Sequence, residues 1–177
     1  MTRIQAQDIC SKFTLSKDIA SDQISGDDLS FLNFLVKKSY YVDAINFVSH
    51  ALDPFILIEW GFTCVSATDL NSENNMIRQM ILEWLKTPDD TKRRAIQKQG
   101  KDLDTINPYY WLSWGVFWSG GSIVEPDMSS VFPQEGLLAH AISGAVMLAA
   151  VQDNGKNMKK NYENFLKQGL TLLEGKH

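Results

Sequence analysis

The stretch that most restricts this chain is Pro108 to Ser122, PYYWLSWGVFWSGGS, which holds three of the five tryptophans within eleven residues and then stops on a glycine pair. Pro108 has a fixed φ and no amide hydrogen, so it suits a first helical turn, with Asn107 as N-cap. Tyr110, Trp111, Trp114, Phe117 and Trp118 recur at spacings of three and four, which sets them on one broad face of a helix. Tyr109 and Val116 widen that face. A helix that is apolar nearly all round must be enclosed by others. Glycine tolerates the left-handed conformation that closes a helix, and Gly120 is the expected residue there. Each large aromatic buries about 150–250 Å², so this segment is expected to be the central core helix.

The remaining chain supplies helices to surround it. Residues 1–26 are mixed and polar and read as a loosely packed N-terminal arm, with Ile4, Ile9 and Phe13 lining one short helix. Ser25, Gly26 and Asp27 form a break and cap. Leu29, Leu32, Leu35 and Val36 then make an amphipathic helix, and Val42, Ile45, Val48 and Leu52 a second. After Asp53-Pro54, FILIEWGFTCV is apolar on most sides and lacks the alternation of a strand, so a buried helix is predicted. Met76, Ile77, Met80, Ile81, Trp84 and Leu85 form a clean helical stripe. Thr87-Pro88-Asp89-Asp90 is a strong start signal. The helix it opens is polar, with a thin stripe of Ala95, Ile96 and Gln99, and is placed on the surface. Residues 122–133 read as a loop. Gln134 to Val151 is a small-residue helix that should pack closely on the aromatic one. Asp153-Asn154-Gly155 ends it, and 156–177 is a C-terminal amphipathic helix with Met158, Tyr162, Phe165, Leu166, Gly169, Leu170 and Leu173 on one face. The sum is an all-α chain of about eight helices in a single compact domain, stacked as antiparallel αα-hairpins around the Trp-rich helix.

Composition narrows what such a chain does. Its 177 residues suit one domain and need no staple. A net charge of −4 argues against a general nucleic-acid binder. Cys10 and Cys64 lie in apolar helical contexts and read as buried free thiols. The N-terminus lacks the apolar core of a signal peptide, and the run Leu137 to Val151 is too short to span a bilayer. A cytoplasmic protein without a membrane span is expected, with signal-independent export left open.

No catalytic signature stands out. Ser119-Gly120-Gly121-Ser122 has the small residues of an anion loop, but it follows a helix and so lies at the negative end of its dipole. The Walker lysine is missing, and no G-x-S-x-G places either serine as a nucleophile. His50, His140 and His177 lack metal-ligand spacing; a site from His50 and His140 requires the fold to bring them together, and hydrogen-bonded structural histidines are the simpler expectation. Glu59, alone in an apolar run, is expected to point outward or to pair. Lys92, Arg93, Arg94, Lys98 and Lys101 read first as a solvated face, flanked by Asp89, Asp90, Asp102 and Asp104, and second as charge offered to a protein partner.

The run Phe117-Trp118-Ser119-Gly120-Gly121-Ser122, with its Pro-containing loop and then Ala145 to Ala150, resembles an uncharacterised bacterial family with an F-W-S-G-G-S motif and a later alanine-rich helix. Looser similarity runs upstream through Asp43-Ala44, Phe47, His50-Ala51-Leu52, Trp84, Pro88 and Arg93-Arg94, so that residues 28–151 are covered. Glu59-Trp60-Gly61 departs from the paired tryptophans the family tends to show. The resemblance implies an accessory role near type VI-like secretion genes. The resulting expectation is a non-enzymatic protein–protein interaction module, an adaptor or chaperone, with no cofactor and no metal. Its partner would be a secretion component or effector, docking on Trp60, Trp118, Ser119, Gly120, Gly121, Ser122, Arg93 and Arg94. The alternatives are a ligand binder or enzyme with a pocket near Ser119–Ser122, and an immunity or inhibitor protein.

Overall fold

Prolines and short polar side chains cut the chain into helices. Asp27 accepts from the Ser30 amide at 2.8 Å, Asp89 from Lys92 at 2.7 Å and Asn107 from Tyr109 at 3.0 Å, each satisfying a donor that a helix start leaves open. Pro54 and Pro108 occupy first turns. The computed structural model describes residues 3–175, with every side chain among them except that of Ser72. Its α-helices are α1 (Ala6–Cys10), α2 (Asp28–Lys37), α3 (Tyr41–Ala51), α4 (Pro54–Thr68), α5 (Asn75–Lys86), α6 (Asp90–Gly100), α7 (Pro108–Trp118), α8 (Leu137–Ala150) and α9 (Met158–Gly175). Among the described residues the one extended pairing is an antiparallel bridge between Gln5 and Asp27. The chain is all-α, and the strand-like Phe55–Val65 run is helical.

The aromatic helix α7 and the alanine-rich α8 form the central pair, as their sequences predict. Helix α8 also packs on α3, α4 and α9, and α7 on α4, α5 and α6. Small residues set these distances. Ile142 of α8 wedges between Gly61 of α4 and Gly115 of α7, where added Cβ atoms would lie 2.7 and 2.4 Å from its side chain. On the far side, the Trp60 indole donates to the Phe165 carbonyl at 3.1 Å and ties α4 to α9.

Several expectations need correction. The N-terminal segment is docked, not loose. Ala6 and Ile9 lie in the core, backbone bonds join Ala6 to Gly26 and Asp28 to Ile4, and the buried Asp43 takes Ser16 N–H and Oγ at 2.8 and 2.7 Å. The buried stripe of α6 is Arg93, Ile96 and Gly100; Ala95 and Gln99 are exposed. Val42, Met76 and Met158, expected to face inward, face solvent. Helix α8 starts at Leu137, because Gly136 is left-handed at φ 88°. On α7, full burial belongs to Tyr109, Leu112 and Val116, whereas Tyr110, Trp111, Trp114 and Trp118 are half-buried. In a helix apolar on every side, spacing alone does not say which side neighbours cover.

Candidate functional site

The uncovered side of α7 opens into a groove against α6. Trp114, Phe117 and Trp118 form one wall, Arg94, Ala95, Gln97, Lys98 and Lys101 the other, and Ile123 and Glu125 close one end around ≈ 640 Å³. Trp114 and Trp118 stack obliquely, with ring centroids 5.1 Å apart. The Trp114 Nε1–H is shielded from solvent and has no acceptor among the described residues, a deficit of about 1–3 kcal/mol for a buried donor. Lys98 and Lys101 are exposed and make no ion pair among the described residues. The groove therefore presents half-exposed indoles and hydrogen-bond donors with few acceptors of its own.

Arg93 ties α6 to the end of α7 beside this groove. It is 4% exposed, so it is not a solvated charge. Its guanidinium donates to the Phe117 carbonyl, to Ser122 O at 2.8 Å and to Asp90 at 2.6 and 2.9 Å, and lies 4.7 Å over the Phe117 ring. Arg94 adds Asp90 at 2.8 Å and Ser122 O at 2.9 Å. Hydrogen bonds from Arg94 and then Arg93 hold the Asp90 carboxyl below its ordinary range. A cation at these carbonyls also complements the negative end of the α7 dipole.

The Ser119–Ser122 segment closes the end of α7. Ser119 Oγ donates to the Val116 carbonyl at 2.7 Å. Ser122 Oγ accepts from Val124 and Val131 amides at 3.3 and 3.2 Å, which gathers the loop together with the Ile123–Val131 backbone bond. The left-handed residue is Gly121, at φ 73°, and not Gly120. A Cβ there would also press to 3.1 Å on Arg93 Nη2. Gly120 is exposed.

The other predicted positions lie elsewhere. Trp60 is 2% exposed and bonded to α9, and it lines a separate depression between α4 and α9, away from the groove. Glu59 points outward. The fold does bring His50 and His140 together, edge to face at 5.4 Å, with Phe13 stacked on His50 at 5.2 Å. His50 Nε2 has no hydrogen-bond partner among the described residues, contrary to the expected satisfied histidine. Desolvation, then His140 and Lys12, lower the His50 pKa to about 4. Among the described residues no cluster of three or more His, Cys, Asp or Glu is placed to hold a metal. His177 lies outside the described residues. Cys10 and Cys64 are buried free thiols. No helix of the described residues is long and apolar enough to cross a membrane.

Sequence reasoning missed Trp114 as a groove residue and Arg93 as a strut. The second was within reach, since Arg93, Ile96 and Gly100 fall on one helical face.

A family model described as a family of unknown function (DUF6931) matches residues 31–173. The chain belongs to this DUF6931 family. The matched span takes in the groove, Arg93 and the Ser119–Ser122 turn, and reaches beyond the expected residue 151 to include most of α9. No curated protein and no solved structure matches the DUF6931 chain.

Proposed function

We propose that the chain is a non-enzymatic protein-docking module, an adaptor or chaperone that receives a partner protein in the α6–α7 groove. The observation that carries this is the pair Trp114 and Trp118, left half-buried in an open groove beside Arg94. Tryptophan and arginine are the residues in which binding energy concentrates at protein interfaces. The neighbouring serines support docking over catalysis, because their hydroxyls are engaged with backbone groups. The association with bacterial secretion rests on the family resemblance alone and names the first partners to test.

A photo-crosslinker is placed at Lys98, in the groove, and at Lys167 on α9, in the native cell. The expected outcome is one protein captured from Lys98 only. That protein, purified, should bind the wild-type chain and lose affinity when Trp118 becomes alanine. Equal capture from both sites, or binding indifferent to Trp118, refutes the reading. A captured toxin would make the module an immunity protein.

A further inference from the structure

Resting on that docking reading, we infer that the groove takes an acidic segment of the partner, whose carboxylates meet Lys98, Lys101 and the Trp114 indole N–H while its apolar side chains lie on Trp118.

The groove carries unmatched donors. Lys98 and Lys101 stand on one wall without an ion-pair partner among the described residues. Trp114 lines the opposite wall, and its shielded Nε1–H has no acceptor among them either. Trp111, one turn back on α7, has its indole N–H engaged, donating to the Thr105 carbonyl at 2.9 Å. A lysine ammonium has three donors and no acceptor, and an indole only a donor. What completes such a lining is an acceptor with negative charge, and the carboxylate is the protein group that supplies both. The Trp114 N–H is shielded, so the partner reaches it by displacing what covers it, and the missing bond favours that displacement.

The same donors could meet a phosphate backbone, with bases stacked on the indoles. Charge favours the acidic peptide. A nucleic-acid site shows a basic stripe or cluster. Here Glu125 sits on the groove rim, Asp102 and Asp104 follow directly on Lys101, and the chain carries −4. Two lysines and Arg94 make a spot that matches a few carboxylates. The apolar wall matches side chains between them, as an interface core beside a polar rim.

The test uses the full chain labelled with ¹⁵N, its Trp114 indole resonance assigned from a Trp114→Phe variant. The probe is a short peptide alternating glutamate with leucine and phenylalanine, compared with its lysine-for-glutamate counterpart and with oligothymidylate. The acidic peptide should saturate and move the Trp114 and Trp118 indole signals, with affinity that falls as salt rises. Lys98→Glu with Lys101→Glu should weaken it by about tenfold or more, close charge pairs across interfaces being worth that much. Both lysines are exposed, and an unchanged melting temperature excludes misfolding as the cause. The inference is overturned if the lysine peptide binds as well, if oligothymidylate binds in preference, or if the double reversal leaves affinity unchanged. Failure of the acidic peptide while Lys98 still crosslinks a partner removes the acidic chemistry and leaves docking standing. Failure of both removes docking as well.

Discussion

Gly100→Ala isolates the contact that sets the groove's width. In an ordinary helix this change is favourable by about 1 kcal/mol, and Gly100 has no left-handed φ to forbid it. Here a Cβ would fall 2.3 Å from Ser113 Cβ and 1.8 Å from Ser113 Oγ. Carbon atoms settle at about 3.5–4.0 Å, so the shortfall exceeds ~1 Å. Neither Cβ can move by rotating a side chain, and α6 must lift from α7. Overpacking of this kind costs about 1–3 kcal/mol, and the lift also pulls Arg93 from the Phe117 carbonyl. We expect a net loss of about 1 kcal/mol by urea denaturation, about 2 from the clash less about 1 of helical gain. For a chain of this size that is a fall of about 2–4 °C in Tm. Ser113→Gly should rescue it, because the new Cβ then faces only Ser113 Cα at 3.8 Å, an ordinary contact. The double-mutant cycle should show coupling of about 2 kcal/mol. A Gly100→Ala protein as stable as wild type, or a double mutant no better than the sum of the singles, refutes the packing argument and with it the account of the groove.

Four further outcomes are expected. Arg93→Met should lose about 2–3 kcal/mol, measured by urea denaturation, because it strips the buried Phe117 carbonyl of its donor; Arg94→Ala, at a half-exposed pair, should lose less than about 1 kcal/mol. Trp60→Phe should lose about 1–2 kcal/mol with its bond to Phe165 and leave crosslinking at Lys98 intact. His50, faced by His140, Lys12 and Phe13, has a folded pKa lowered to about 4; the unfolded chain therefore binds the extra proton first, and stability should fall as pH drops from about 6.5 towards 4. After allowance for the partial exposure of His50, the loss attributable to it is about 1–2 kcal/mol, and His50→Gln should remove that part of the slope. Burial raises the Cys10 thiol to about 12 and the Cys64 thiol further, so both should react with a thiol reagent at pH 8 only as fast as the protein opens; fast labelling of either would contradict the packing of α1 or α4.

The parts that sequence could reveal are those governed by local rules. Asp27, Asp89 and Asn107 cap their helices because a short polar side chain before a helical run has one favourable use. The alanine-rich α8 packs on α7 because small residues on one helix and large ones on the other admit close approach. The groove depends on something that spacing does not carry. In α7 the residues Tyr109, Leu112 and Val116 form one apolar stripe, while Tyr110, Trp114 and Trp118 form another. A helical wheel treats the two as equivalent, and only the arrival of α8 and α4 on the first leaves the second half open. The larger aromatics suggested the larger burial, but a tryptophan can be half-covered and still contribute area.

Arg93 shows the same limit from the opposite direction. Beside Lys92 and Arg94 it reads as one more surface charge. Its position in register with Ile96 and Gly100 directs it under α7, where Phe117 and Ser122 supply carbonyls at the helix end. Gly100 then lets α6 close on Ser113, and the left-handed Gly121 turns the chain so that Ser122 reaches Arg93. The buried arginine and the two glycines thus fix α6 against α7, while Lys98 and Lys101 line the groove with Trp114. A groove built this way rests chiefly on Arg93, Gly100 and Gly121, none of which lines it. Substitutions at Lys98, Lys101 and Trp118 can therefore change what docks there without unfolding the helices that carry them.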